Sequence, residues 1–158
     1  MRWLKSVGAL LLVVVPVSLA RATALPDGGV TASEVASVLQ GKGYKAEINA
    51  DKSGDLLVGS ASGGVNFSVY FYTCNHTPRC TSIQFSAGFQ KPGITDEQLE
   101  KWNRTTRFGK AYFDTDHDPR VEMDVDVEHG ATTEAIANDL DRWVSVLAEF
   151  VKYIGWTI

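Results

Sequence analysis

The chain contains two segments in which apolar and polar residues alternate strictly. In residues 65–72, valine and phenylalanine occupy every second position, and in residues 82–89 isoleucine, phenylalanine and alanine do the same. A period of two places the apolar side chains on one face of a β-strand. The connection between the segments is short, so the two strands should pair antiparallel in a sheet that is covered on one face only.

Three segments have the start signals or the apolar spacing of helices. Thr31 with Glu34, and Thr95 with Gln98, each form the pattern of a capping box. In residues 133–154, apolar side chains recur every three or four positions, which is the core-facing stripe of an amphipathic helix. We therefore predict a helix after Thr31, a second from Thr95 to about residue 107, and a third over 133–154.

Four further segments lie between turn residues and are predicted as strands: 44–49, 55–60, 110–114 and 120–128. The predicted order is helix, four strands, helix, two strands, helix. Strands in antiparallel runs with helices on one face predict an α+β two-layer sandwich, with a sheet of about six strands packed on helices.

The first 24 residues have the pattern of a secretory signal peptide. Arg2 and Lys5 form a positive start, and an apolar stretch follows at 7–19. Small residues offer more than one cleavage position: Ala20, Ala22 and Ala24. The apolar stretch is shorter than the roughly 20 residues with which a helix spans a bilayer. We therefore expect a cleaved bacterial leader and a location in the periplasm or outside the cell, with a retained membrane anchor as the alternative.

The remaining chain has the size and charge of one acidic domain. We expect residues 25–30 to form a linker and residues 31–158 a single domain. Removal of residues 1–24 takes away three of the 15 basic residues and none of the 19 acidic ones, which leaves a formal net charge of −7. This charge argues against a nucleic-acid partner and against adhesion to anionic lipids, so we predict neither after leader cleavage.

Cys74 and Cys80 are the two cysteines of the chain. An even number of cysteines in an oxidising compartment favours a disulfide, which would join the ends of the two alternating strands. The alternative is a zinc site that recruits His76, with or without His117, beside the two thiolates. Zinc needs four ligands at recognisable spacing, and this spacing is not one of the usual patterns.

Two acidic patterns are candidates for ion binding. Asp114, Asp116 and Asp118 are spaced like the start of a calcium loop, but Pro119 stands where such a loop needs glycine. Because these residue types also build hairpin turns, we predict a turn there and keep calcium as the alternative. Four acidic residues alternate along the last predicted strand and should share a solvated face: Glu122, Asp124, Asp126 and Glu128.

The candidates for partner contact lie on the second helix and on the first alternating strand. Asn103, Arg104 and Arg107 fall on the helix, where two guanidinium groups one turn apart could hold an anion or pair with the acidic strand. Tyr70 and Tyr72 fall on the polar face of their strand, where an aromatic pair marks either a covered edge or a binding surface.

The motifs of several common enzyme classes do not occur in the sequence. It has no nucleophile elbow, no phosphate-binding loop and no dinucleotide fingerprint. The sequence therefore predicts no catalytic residues, no metal and no cofactor.

Three segments together resemble the exported branch of the YbjN-domain family: CTSIQFSAGF at 80–89, WNRTTRFGKAYFD at 102–114 and DPRVEMDVDVE at 118–128. The similarity covers about residues 30–154. The family is labelled as bacterial sensory transduction regulators, and its fold is similar to that of type III secretion chaperones. The resemblance implies a protein-binding module rather than an enzyme, since chaperones of that fold usually dimerise and hold extended segments of a client.

We therefore expect a non-enzymatic exported binding or regulatory module that engages a protein or peptide segment, with a homodimer as one partner arrangement. A small envelope enzyme with an unrecognised site and a calcium-dependent structural protein are the alternatives.

Overall fold

A computed structural model of the chain describes residues 23–74 and 77–157. The predicted leader up to residue 22, together with Asn75 and His76, lies outside the described residues. The elements follow the predicted order, and the α+β class is confirmed. The helices are α1 Ala32–Gly41, α2 Asp96–Thr105 and α3 Thr133–Tyr153, and the strands are β1 Glu47–Ala50, β2 Leu56–Ser62, β3 Val65–Tyr72, β4 Ser82–Gly88, β5 Lys110–Phe113 and β6 Pro119–Asp126.

The six strands form one antiparallel sheet in the order β1-β2-β3-β4-β6-β5. Strands β1 to β4 follow one another as hairpins, and β3 and β4 pair as the alternating pattern predicts. The last hairpin joins the sheet through β6, which pairs with β4 and leaves β5 at the edge. This strand order decides which part of β6 has a neighbour on its second side.

Side-chain caps fix the start of each helix. Thr31 and Glu34 form the predicted capping box of α1, and Thr95 and Gln98 form that of α2. The hydroxyl of Thr132 accepts the backbone N–H of Ala135 at the start of α3. Each cap satisfies N–H groups that have no partner inside the helix.

Several predicted boundaries differ from the structure by one to three residues. Strand β1 begins at Glu47 and not at Tyr44, because Tyr44 N–H donates to the Leu39 carbonyl and so belongs to the end of α1. Helix α2 ends at Thr105, and Arg107 lies in the loop to β5. None of the helices formed by the described residues is both long and apolar enough to cross a bilayer.

The helices cover one face of the sheet, which we call the inner face. Trp143 of α3 is fully buried there, and its ring lies 5.8 Å from that of Phe85 and 5.9 Å from that of Phe67. Helix α2 packs on the end of α3, with the Trp102 ring 5.0 Å from that of Phe150. The opposite, outer face of the sheet carries the polar positions of the alternating strands.

The predicted disulfide between Cys74 and Cys80 is confirmed. Its loop also carries Arg79, whose guanidinium pairs with the Glu34 carboxylate of the α1 capping box at 3.0 Å. The same guanidinium donates to the carbonyls of Pro26 and Gly29. One side chain thus ties together the disulfide loop, the linker and the start of α1.

Candidate functional site

A polar network crosses the outer face between β4, β5 and β6. Tyr112 donates its hydroxyl hydrogen to Glu122 Oε1 at 2.6 Å, and Ser86 donates to the same oxygen at 3.2 Å. Arg120 Nη2 donates to Ser86 Oγ at 3.0 Å, and Arg120 Nη1 lies 3.6 Å from Asp114 Oδ2. Arg120 lies close over Gly88, where an added Cβ would be 3.2 Å from Nη1.

The expectation that the acidic residues of this strand are all solvated was wrong for Glu122. Its side chain is only 8% exposed, because Tyr112 and Ser86 cover it from both neighbouring strands. Glu128 lies beyond the end of β6, so Asp124 and Asp126 are the exposed acidic positions of this strand. Glu122 is therefore part of the polar network.

Tyr112 is the member of the network with the largest change in acidity. Burial and the hydrogen bond to Glu122 raise its pKa to about 12. The neutral phenol is thus favoured in the folded protein. Since an unfolded tyrosine ionises near its ordinary pKa of 10, this contribution to stability is complete below pH 10 and is lost as the pH rises to about 12.

We expect titration of phenolate absorbance to show one tyrosine that ionises near pH 12, and this component should disappear in Tyr112→Phe. Glu122→Gln should move the same component towards the ordinary pKa, because the carboxylate that holds the proton is gone. Tyr44→Phe is the control and should leave the late component in place. If the component that ionises near pH 12 were still present in Tyr112→Phe, the assignment to Tyr112 would be contradicted.

Asn103 was a candidate for partner contact, and the structure shows it bound within the fold. Its side-chain amide donates to the Ala111 carbonyl at 2.9 Å and accepts the Ala111 N–H at 2.8 Å. Those two Ala111 groups point away from β6, towards the outer edge of the sheet. Asn103 thus occupies the place of a neighbouring strand and closes the edge of β5.

The next part of this sheet edge is open. Backbone groups of a strand point alternately to either side, and Val127 donates to Thr81 next to β4. The N–H and C=O groups of Asp124 and Asp126 therefore point away from β4. Strand β5 reaches only Glu122, and at the other end Gly28 donates to the Glu128 carbonyl.

We call this open stretch between Glu122 and Glu128 the β6 slot. At about 3.3 Å per residue it is about 20 Å long, enough for a strand of four to five residues. A concavity of about 460 Å³ lies along its β5 end, between β6 and the loop from α2.

Cationic and aromatic side chains line that concavity. Phe108 is 41% exposed, with the guanidinium carbons of Arg107 and Arg142 at 5.4 and 4.7 Å from its ring centroid. The same concavity is also lined by Arg107, Lys110, Glu122, Met123 and Asp124. The slot thus combines free backbone groups with an aromatic ring and with charged side chains of both signs.

The two candidate tyrosines lie on the outer face, and one of them is connected to the slot. Tyr72 is 46% exposed and donates its hydroxyl hydrogen to Gln84, which in turn donates to Asp124 Oδ1 at 2.7 Å. Tyr70, which is half-buried, lies opposite Gln84 in the β3–β4 register. Tyr72 is therefore connected to Asp124 across the outer face, and Arg107 lines the concavity at the β5 end of the slot.

Arg104 does not join this site. It is exposed on α2 and forms an ion pair with Glu100 one turn earlier, at 3.4 Å. Of the two roles left open for Arg104 and Arg107, no ion pair with the acidic strand is found among the described residues, because Arg104 is exposed on α2 and Arg107 contacts Phe108.

The segment with three alternating aspartates is the predicted hairpin turn. Asp114 Oδ1 accepts the backbone N–H groups of Asp116 and Asp118, both at 3.0 Å. His117 lies in the same turn and stacks on Phe113. Within the described parts of the chain, no three His, Cys, Asp or Glu side chains are grouped so that they could hold a metal ion.

A second, larger concavity of about 640 Å³ lies between α1 and the start of α3. Two of its three charged residues already have partners: Glu34 pairs with Arg79, and Lys42 pairs with Asp141 at 2.8 Å. Apart from the third, Glu134, the lining is apolar or hydroxyl-bearing, with Leu25, Val38 and Ala137 among the apolar residues. The β6 slot is the better candidate because its backbone groups specify how a ligand would bind.

Sequence reasoning missed Phe108, Lys110 and Tyr112 as members of the site. The alternation of acids in 122–128 was the available signal that this strand has a polar face. The sequence predicts that β5 begins at Lys110, but it does not show that no other strand pairs with the next part of β6.

A comparison with protein families gives a match that covers most of the chain. A family model named YbjN, described as "Putative bacterial sensory transduction regulator", matches residues 31–156. A comparison with curated proteins gives no match.

Proposed function

The chain belongs to the YbjN family, and on that premise we propose that it is a non-enzymatic regulatory module that binds an extended segment of a protein partner in the β6 slot. The observation that carries the proposal is the open edge at Asp124 and Asp126, between two stretches of β6 that are paired. A peptide strand added there would exchange backbone hydrogen bonds with both residues, as in other cases of strand addition to a sheet edge.

The lining of the slot supports a partner segment of particular chemistry. Arg107 and Lys110 favour an acidic side chain near the β5 end, and the exposed Phe108 ring favours an apolar neighbour. On the outer face, Tyr72 offers a further aromatic contact beside Asp124. We infer that the partner segment is four to five residues long, extended, and carries an acidic and an apolar residue.

We further propose that the module acts outside the cytoplasm. The disulfide between Cys74 and Cys80 supports this, since such bonds persist in oxidising compartments. The predicted leader would deliver the chain there.

Asp124→Pro tests the slot directly. Proline removes the N–H that faces the slot and leaves the β4–β6 ladder intact, because the groups of Asp124 do not face β4. With a photo-crosslinker in place of Phe108, mature protein mixed with native envelope should give one major crosslinked partner. The yield should fall about tenfold in Asp124→Pro, as expected for the loss of a main-chain hydrogen bond and a steric block.

Asp124→Asn is the matched control, because it changes the same side chain and keeps the N–H. It should capture the same partner as the unchanged chain. Hydrogen exchange gives a test that needs no partner: the Asp124 and Asp126 amides should exchange much faster than those of Met123 and Val125. Equal capture by the proline and asparagine variants, or uniformly slow exchange along β6, would contradict the proposal.

A further inference from the structure

The opposite edge of the sheet, at β1, is also uncovered. All four residues of β1 are exposed. Ile48 is 47% exposed and Leu56, on the neighbouring strand, is 54% exposed, so two of the four exposed large apolar side chains of the described chain lie at this edge. Single exposed apolar residues need no explanation, but two beside a free strand edge favour a partner.

The ladder shows which β1 groups are free. Asp51 N–H donates to the Asp55 carbonyl, and the register continues as Asn49 opposite Leu57 and Glu47 opposite Gly59. These odd-numbered residues therefore face β2, and the N–H and C=O groups of Ile48 and Ala50 face outwards. Only even-numbered residues can bond to a strand added at this edge.

We propose that β1 pairs antiparallel with β1 of a second copy of this chain, with Ile48 opposite Ile48 across a twofold axis. The alternation permits only registers in which even-numbered residues face each other. Two such registers overlap three of the four β1 residues: one is centred on Ile48 and the other on Asn49.

Charge separates these two registers. Centring on Asn49 places Glu47 opposite Asp51 of the second copy, which is a repulsive pair that occurs twice by symmetry. Centring on Ile48 places Lys45 opposite Asp51 of the second copy and Glu47 opposite Asn49, with no pair of like charges. Opposite charges across strands stabilise a pairing and like charges weaken it, so the Ile48 register is favoured.

Apolar contact favours the same arrangement. Ile48 lies opposite Val58, whose side chain is in the core, so Ile48 is on the inner face of the sheet together with Leu56. The twofold axis brings both Ile48 side chains together and places each Leu56 nearby. In this register Ala46 would face Ala50 of the second copy. The Ala46 carbonyl already accepts a hydrogen bond from the Gln40 side chain at 3.2 Å. The strongest backbone pairing between the two copies is therefore at Ile48.

The interface is small, and we expect a dissociation constant in the micromolar range. Strand β1 is at one edge of the sheet and the β6 slot lies near the other, with three strands between them, so the dimer would leave both slots open. The proposed dimer rests on β1 and the proposed peptide binding rests on β6. An experiment can therefore disprove one of these proposals and leave the other intact.

Cysteine crosslinking tests the register. Both native cysteines are in the disulfide, so an introduced cysteine is the one free thiol. Opposite residues in a bonded antiparallel pair have Cα atoms about 5.5 Å apart, within the range of a disulfide. Ile48→Cys should therefore form a covalent dimer on oxidation, whereas Asn49→Cys should not, since its Cα atoms would be about 7–8 Å apart on the diagonal. A mixture of Glu47→Cys and Asn49→Cys chains should crosslink to each other.

Sedimentation over a range of protein concentrations tests the dimer without a crosslink. The mature chain should dimerise, and Ile48→Pro should raise the dissociation constant at least about tenfold by removing the N–H at the axis. Ile48→Val, which keeps the N–H and the branched side chain, should change it little. A chain that stays monomeric, a dimer unaffected by Ile48→Pro, or preferential crosslinking of Asn49→Cys would overturn the proposal.

Discussion

Trp143→Ala should lower the free energy of unfolding by about 3–5 kcal/mol. The indole is fully buried at the centre of α3, and it stacks on Phe85 and meets Phe67 edge to face. Alanine would leave a cavity between the helix and two neighbouring strands. Because a domain of this size is stabilised by only about 5–15 kcal/mol, the variant should be partly unfolded at moderate temperature.

Urea unfolding followed by circular dichroism measures this change. Trp156→Ala is the matched control, since Trp156 is half-buried near the end of the chain and its ring contacts Phe89 at 5.5 Å. We expect Trp156→Ala to lower the free energy of unfolding clearly less than Trp143→Ala does. If the two variants were equally stable, Trp143 would not be the centre of the core.

The second large effect is expected at Arg79. Arg79→Met should lower the free energy of unfolding by about 2–3 kcal/mol. The guanidinium donates to Glu34 Oε1 at 3.1 Å and to the linker carbonyls of Pro26 and Gly29, and its Nη2 lies 3.0 Å from Glu34 Oε2. Both side chains of the pair are mostly buried. Methionine keeps the apolar part of the side chain and removes these hydrogen bonds.

Arg104→Met is the control, because it breaks the ion pair with Glu100, in which both side chains are exposed. Exposed pairs one helical turn apart contribute no more than about 0.5 kcal/mol. The free energy of unfolding in urea should thus fall much further for Arg79→Met than for Arg104→Met. Equal losses would show that Arg79 does not join the loop, linker and helix.

The same pair makes the protein sensitive to acid. Burial alone raises the pKa of Glu34, but the Thr31 N–H and the Arg79 guanidinium outweigh it, and the pKa lies below the ordinary value of 4.5. A lowered pKa in the folded state gives stability that is present above the ordinary value and is lost as the pH falls through the lowered one. In Glu34→Gln the free energy of unfolding should therefore not show this loss when it is measured at decreasing pH.

Local patterns in the sequence were sufficient for most of the fold. The bounds of β3 were predicted without error, because eight alternating residues determine which face of a strand is buried. Both capping boxes were correct, since a cap depends on residues three apart in the chain. The disulfide followed from the even number of cysteines and the short loop between two predicted strands.

The errors lie where a hydrogen bond outside the regular spacing of a single helix or strand decides the outcome. Tyr44 reads as part of a strand by composition, but its N–H is used by the Leu39 carbonyl at the end of α1. Asn103 reads as a surface residue of a helix, and only its proximity to Ala111 makes it the closure of a sheet edge.

The sequence by itself determined the helices, the strands, the covered face of the sheet and the disulfide, because each depends on the spacing of neighbouring residues. The tertiary structure decided that Glu122 is buried and that Asp124 and Asp126 are open, although all three alternate along one strand. The reason is that burial and backbone pairing depend on which strand lies alongside, and strand order follows from packing between residues far apart in the chain.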